Sequence, residues 1–312
     1  MALKAMKTMV VGGNGFIGSH LVDQLVDRNW EVIVLDPCER RFGKLAHDVR
    51  HIQADINQIG LLREALIGID VVYHLAWASI HETSNQNLVA DVNANLIPSV
   101  QLIESCRWAG VRRIVFISSG GTVYGPTDHL PIAETGANSP INAYGIHKLT
   151  VEKYLKMFNH LHGLEYAILR PSVPYGPRQS PLGRQGAVSV FLYRVWQGLP
   201  LTVWGDGNNT RDYFYVTDLI RALVACGERD LGPAPIYNIG GNEEISLAQL
   251  IERIEMVVGK KAEIEFQPAR AFESQRVVLD TTRARNDLEW RPQVSFCSGL
   301  ELTWHWMREA FS

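Results

Sequence analysis

A tyrosine and a lysine stand four residues apart at the head of an amphipathic run, in Ser139-Pro140-Ile141-Asn142-Ala143-Tyr144-Gly145-Ile146-His147-Lys148. On a helix that spacing puts both side chains on one face. A phenol titrates near pH 10 and is a poor base at neutrality, so an ammonium beside it, reinforced by a second positive charge, would favour the phenolate. A fall of roughly 2–3 units corresponds to about 3–4 kcal/mol, within reach of two close positive charges in a partly buried site. The chemistry this pair suggests is abstraction of a proton from a hydroxyl. Near the start of the chain, glycines 12, 15 and 18 of Gly12-Gly13-Asn14-Gly15-Phe16-Ile17-Gly18 follow the short apolar run Thr8–Val11 and precede an amphipathic stretch that ends near Asn29. Read as strand, tight turn and helix, they let the backbone come close to a pyrophosphate and offer it free N–H groups and partial positive charge.

The next strand-like run, Glu31–Leu35, ends in Asp36. A carboxylate there accepts hydrogen bonds from both ribose hydroxyls of a dinucleotide and repels a 2′-phosphate, which favours NAD over NADP, although Arg40 and Arg41 follow closely. The elements that must position these residues alternate strictly. Strand-like Val49–Ala54 leads to Asp55-Ile56, helix-like Gln58–Leu66 to strand Val71–Leu75, and a long helix from about Asn87 to Ala109 to strand Arg113–Ser118. Repeated strand–helix units of this length predict an α/β fold with a Rossmann-type, doubly wound parallel sheet. Ligands on such sheets lie beyond the carboxyl ends of the strands, where Asp36, Asp55, Ala76-Trp77 and Ser118-Ser119 fall. From Pro171 the pattern loosens into turns at Pro174–Gly186, a helix near Ala187–Gln197, a turn at Trp204–Asn208 and a helix from Thr217. The expected division is a dinucleotide-binding domain over 1–170, with some later segments returning to it, and a smaller α/β substrate lobe over 171–312.

At 312 residues, 46% hydrophobic and 20% charged, the chain can bury a large core. A net charge of −3 gives no reason to expect nucleic acid or an acidic membrane surface. The apolar stretches are strand-sized, and Met1–Lys7 is too short for a signal sequence, so a cytoplasmic location is expected. Cys38, Cys106, Cys226 and Cys297 show neither metal-binding nor disulfide spacing, and no histidine cluster suggests a metal.

Several motifs in order over nearly the whole chain resemble extended short-chain dehydrogenases/reductases of the NAD-dependent sugar-nucleotide epimerase/dehydratase family. They are Gly12/Gly15/Gly18, Asp36, Asp55-Ile56, His74-Leu75-Ala76, Asn95, Ser118-Ser119 with Val123-Tyr124-Gly125, Tyr144 with Lys148, Arg170-Pro171, Tyr175-Gly176-Pro177-Arg178 and Gly205-Asp206-Gly207 with Arg211-Asp212-Tyr213. The resemblance implies Tyr144 as general base, with Lys148 holding the nicotinamide ribose and lowering the tyrosine. It implies NAD contacts from Gly12, Asn14, Gly15, Phe16, Ile17, Gly18, Asp36, Leu75, Ala76, Trp77, Asn95, Ser118 and Tyr175, with Asp55 and Ile56 at the adenine. It places Arg211 and Arg270 toward a nucleotide diphosphate, a task suited to planar bidentate donors, Arg178 at the substrate, and Glu273 near the uridine ribose. A homodimer through a four-helix contact of the 87–109 and 144–162 helices is implied as well.

Two positions depart from the family. Gly120 stands where 4-epimerases commonly carry a serine or threonine for the sugar 4-oxygen, so either Ser119 or Thr122 takes that role or the proton relay is altered. Val173 replaces an asparagine that often contacts phosphate. Family dehydratases and decarboxylases carry acids just before Val-Tyr-Gly, where this chain has Gly121 and Thr122. Ser180 stands where enzymes acting on UDP-glucuronate tend to have an arginine. The expected reaction is therefore 4-epimerisation of a UDP-hexose through a transient 4-keto sugar, the rivals being another nucleotide-sugar dehydratase or reductase and a catalytically silent NAD-binding regulator or scaffold. Val277, where some 4-epimerases have a wall tyrosine, is expected to leave room for an N-acetyl group on the sugar.

Overall fold

The computed structural model describes residues 6–183, 185–233, 235–269 and 275–312. Its backbone falls into two compact units, one running through Ser119 together with Asn142–Arg170 and Ile220–Tyr237, the other made of Gly120–Ile141, Pro171–Leu219 and Asn238–Ser312.

Strands β1 (Lys7–Val11), β2 (Glu31–Leu35), β3 (Arg50–Ile52), β4 (Val71–His74), β5 (Arg113–Ile117) and β6 (Glu165–Pro171) join the strand Ile236–Ile239 in a seven-stranded parallel sheet. Its order is Ile236–Ile239, β6, β5, β4, β1, β2, β3. The chain winds outward from β1 through β2 and β3, then returns to β4 on the other side of β1 and winds the opposite way. That reversal is the topological switch point at which such sheets bind dinucleotides. In register, Met9 lies between Ile33 and Val72. Met9, Val10, Val72, Ile114 and Val115 are fully buried, as parallel strands covered on both faces require.

The covering helices of this unit include α1 (Phe16–Asp27), α2 (Ile59–Ala65), the short α3 (His81–Ser84) and α4 (Leu88–Asp91), α5 (Ile97–Ala109) and α6 (Ala143–His162). The single long helix expected over 87–109 is interrupted by a π-helical turn at Val92–Leu96. Pro98, in the first turn of α5, has no N–H to donate to residue 94 and its ring would crowd that carbonyl, so the backbone widens ahead of it.

The second unit centres on β9 (Thr210–Tyr215), which pairs antiparallel with β10 (Glu244–Ser246) and parallel with β7 (Val173–Tyr175) and β12 (Arg276–Val277). A separate two-stranded ribbon pairs β8 (Leu201–Trp204) with β11 (Ile264–Gln267). Helices α7 (Ala187–Gln197), α8 (Leu247–Val258) and α9 (Phe296–Phe311) pack an apolar core of which Leu192, Leu250, Ile254, Leu300 and Met307 are part. Among the described residues no helix is long and apolar enough to cross a membrane.

Candidate active site

Gly12 takes φ +84°, a left-handed conformation, and a Cβ there would lie 2.7 Å from the Ala76 nitrogen. A Cβ on Gly18 would strike the Gly12 carbonyl oxygen, so this glycine lets α1 close onto the turn. The helix starts after Gly15 with no side-chain cap, and its first bond is Ser19 N–H to the Gly15 carbonyl at 2.9 Å. The N–H groups of Phe16, Ile17 and Gly18 thus have no intrahelical acceptor, which fits the pyrophosphate of a dinucleotide. Leu75 and Ala76 are fixed beside the turn, both donating their N–H to the Val11 carbonyl at 2.9 and 3.0 Å.

Asp36 is buried at the end of β2, accepting from Asn14 N at 3.0 Å and from Cys38 N at 2.9 Å, while Asn14 Nδ2 donates to the Cys38 carbonyl. Arg40, whose position next to Asp36 could have served a 2′-phosphate, is instead committed internally: its guanidinium donates to Asp23 at 2.7 Å and to the carbonyls of Ser19 and Lys44. Asp55 is exposed and accepts from its neighbour Asn57, and Ile56 packs against the core of this unit.

The Tyr144/Lys148 helix is held at its N-terminus. Asn142 caps it through Gly145 N, and the N–H groups of Ala143 and Tyr144 donate to Asn85 Oδ1 and Ser84 Oγ. Lys148 is buried, its Nζ donating to the Ile117 carbonyl at 2.8 Å and lying 3.8 Å from the Trp77 ring centroid and 5.6 Å from that of Tyr144. Trp77 meets Tyr144 edge-on. The expected lowering of the phenol is not achieved by the polypeptide alone: burial, and then the charge of Asp91, push the Tyr144 phenol up. Burial likewise pulls the Lys148 ammonium well down, with the Glu152 carboxylate working the other way. Burial thus penalises both charged forms.

Glu152, which sequence reasoning passed over, and residues it assigned to the cofactor support this pair. Glu152 continues the 144/148 stripe by one more turn, and its buried carboxylate accepts from Arg170 Nε at 2.9 Å and Nη2 at 2.6 Å and from Ser118 Oγ at 2.5 Å. The Ser118 hydroxyl therefore donates its proton inside the protein. Asn95, in the π turn, accepts from Ala78 N at 2.7 Å and donates to Ser79 and Asp91, so its side chain shapes the loop that carries Trp77. Ser99 Oγ donates to the Asn95 carbonyl, which makes His74 Nε2 the donor to Ser99; burial and nearby Lys148 lower His74 to about 3, so it is neutral. The i, i+4 rule applied once more from Lys148 would have found Glu152. Nothing local in the sequence joins Asn95 to Trp77.

Ser119 lies buried in this first unit and Gly120 begins the second. Thr122 is buried, and among the described residues its hydroxyl has no hydrogen-bond partner. Val173 is half-buried in β7. Tyr175, expected near the cofactor, packs in the core of the second unit against the rings of Tyr215 and Phe296, with its hydroxyl donating to the Phe296 carbonyl at 2.7 Å. Arg178 has φ +67°, a backbone strain that tends to collect at functional positions. Arg211 donates to the Thr210 and Gln275 carbonyls. Val277 is its parallel-register partner on the same face of β9–β12 and is buried. Arg270 and Glu273 lie outside the described residues.

A Rossmann-type sheet with a glycine turn at its switch point, and a Tyr-x-x-x-Lys helix after its fifth strand, define an extended short-chain dehydrogenase/reductase. The profile of the NAD dependent epimerase/dehydratase family matches residues 8–240, and the chain belongs to that family. It is 36% identical to a UDP-glucose 4-epimerase of Mycolicibacterium smegmatis, covering 97% of this chain and 99% of that one. It is 33% identical to a dTDP-4-dehydro-6-deoxyglucose reductase of Escherichia coli, covering 94% and 95%. Among solved structures, UDP-glucose 4-epimerase of Thermotoga maritima with UDP-glucose aligns at a TM-score of 0.93 and 34% identity, covering 98% of this chain and 100% of that one.

Proposed function

We propose that this enzyme interconverts UDP-hexoses at C4 through a transient 4-keto sugar. The observation that carries the reading is the pair of half-buried Tyr144 and buried Lys148, one helical turn apart beside the sheet's switch point, with Gly121 and Thr122 leaving no acid ahead of Val123 to expel water. NAD, when bound, supplies the hydride acceptor and donor and, in its oxidised form, the positive charge that brings the Tyr144 phenol down. Tyr144 takes the 4-hydroxyl proton and gives it back after the keto sugar has turned over. Lys148 stands one turn on, to hold the nicotinamide ribose. The unpartnered Thr122 hydroxyl supports it over Ser119 as the hydroxyl for the sugar 4-oxygen. Asp36, with Arg40 tied to Asp23, favours NAD over NADP. Arg178 and Arg211 are assigned to the diphosphate.

The test is Tyr144→Phe: bound NAD is retained and turnover of UDP-glucose or its N-acetylated counterpart falls about a hundredfold or more. Near-wild-type turnover would reject the base. The kinship with a reductase favours a second reading, which net consumption of NADH would select.

The helices α5 and α6 pack together and leave Ile97, Trp108, Ile146, Met157 and Leu161 exposed. These apolar residues, spaced to one side of each helix, support a homodimer through a four-helix contact. Light scattering at micromolar concentration should give twice the chain mass; a monomer would remove this reading.

A further inference from the structure

Lys148 is 2% exposed, and among the described residues no carboxylate is bonded to it. One N–H of the ammonium goes to the Ile117 carbonyl at 2.8 Å. What else surrounds the charge is aromatic: the ring centroid of Trp77 lies 3.8 Å from Nζ, that of Phe116 4.8 Å and that of Tyr144 5.6 Å. A cation within about 6 Å of a ring centroid is drawn to the negative π face, most strongly to that of tryptophan and most of all where water is excluded. The charged groups on the elements packed around α6 are placed elsewhere. Glu152 is bonded to Arg170 and Ser118, Asp91 to Asn95 and His147, and His74 is neutral. Glu104 and Arg107 on α5 are exposed, and Glu82 on α3 is half-buried.

Trp77 is fixed from both sides. Ala76 N–H before it is bonded to the Val11 carbonyl, and Ala78 N–H after it to Asn95 Oδ1 at 2.7 Å. Its indole N–H is buried and, among the described residues, has no acceptor. A buried donor is rarely left so, and it shows that the ring is held there by its faces and not by a hydrogen bond. We propose that the π face of Trp77 is the electrostatic partner of Lys148, standing in for the missing carboxylate and keeping the ammonium charged and in place beside Tyr144. Trp77 is a positioning residue in this sense, acting on the reaction through the lysine. A carboxylate at that point would pair with the ammonium and cancel its charge toward the phenol, whereas a neutral ring steadies the cation and leaves its field intact. The inference rests on Lys148 serving the Tyr144 site.

The measurement is the titration of Lys148, followed by NMR of isotope-labelled lysine Cε in the NAD-loaded enzyme and assigned by its loss in Lys148→Met. Trp77→Leu removes the face and should move the ammonium titration down by about one pH unit. Mono-, di- and tetrafluorotryptophan placed at position 77 keep the shape of the ring while draining its face. They should move the titration down in graded steps, with kcat falling alongside. This series also serves if Trp77→Leu does not fold. A titration unmoved across the fluorinated series would overturn the proposal, because it would leave Trp77 acting by volume alone. So would an upward movement in Trp77→Leu, which would mean that the ring merely keeps water from the lysine. Failure of the base assignment shows separately, as retained turnover in Tyr144→Phe, because the titration reads the lysine whether or not the phenol is used.

Discussion

One ion pair in each unit shows how differently the same chemistry can be held. In the first, Glu152 and Arg170 are buried to 0 and 1% exposure and closed by Ser118, one turn past Lys148 on α6. In the second, Glu244 and Arg276 form an equally well-made bidentate pair, at 2.7 and 2.9 Å, across β9 on the surface. Both pairs have good geometry, yet solvent makes them physically different. A buried pair has surrendered its hydration and becomes a liability when one partner is removed; an exposed pair can fall back on water. The first unit uses such commitments to fix a helix face against the sheet. In the second, the Glu244–Arg276 pair lies at the surface and bridges the strands on either side of β9.

Removing one carboxylate from each pair is the direct way to break that contrast. Glu152→Ala leaves the Arg170 guanidinium buried without its anion, and about 3–5 kcal/mol of stability should be lost in denaturant titration. Glu244→Ala should cost a small fraction of that. The Arg276 guanidinium, with Thr210, holds the Glu244 carboxyl at about 2, so its contribution is present above the usual glutamate range and fades as pH falls toward 2. Stability measured at pH 7 and again near pH 3 should therefore narrow the difference between wild type and Glu244→Ala. Comparable losses for the two variants at neutral pH would show that burial is not what separates the two pairs.

How much of this was legible in the sequence follows the same divide. The Rossmann-type sheet, the glycine turn and the Tyr144/Lys148 face depend on local spacing, and local spacing survives in one dimension. Pro98 was equally visible, and the π turn ahead of it could have been anticipated from its missing donor. What the sequence could not show is where burial wins. A tyrosine beside a lysine reads as an activated phenol, but the fold packs Trp77 against both, sets Phe116 by the lysine and adds Asp91, so in the polypeptide alone the phenol rises instead of falling. Tyr175 sits in a motif that looks ligand-facing, and only the packing of Phe296 and Tyr215 around it reveals a core residue. Ser118, likewise, reads as a hydroxyl at the end of a strand and is taken by Glu152. In each case the deciding partner is distant in sequence or on another element, out of reach of any window.

Val277 tests the second unit's side of the comparison, with the smallest expected effect. Register pairs it with Arg211 on one face of the β9–β12 ladder, so if Arg211 holds the diphosphate, residue 277 is its immediate strand neighbour. We propose that the valine leaves room beside the sugar C2 substituent for an N-acetyl group. A phenol in its place would fill that space, and overpacking by such a group typically costs about 1–3 kcal/mol, which corresponds to a preference change of about tenfold. Val277→Tyr should therefore lower kcat/KM for UDP-N-acetylglucosamine relative to UDP-glucose by about that factor, with the plain sugar little affected. Because Val277 is 3% exposed, the larger side chain can also strain the second unit. Strain of that kind lowers thermal stability and both substrates together, whereas a wall effect changes their ratio. An unchanged ratio would make Val277 an ordinary core residue of β12 and move the determinant of sugar size elsewhere in the second unit.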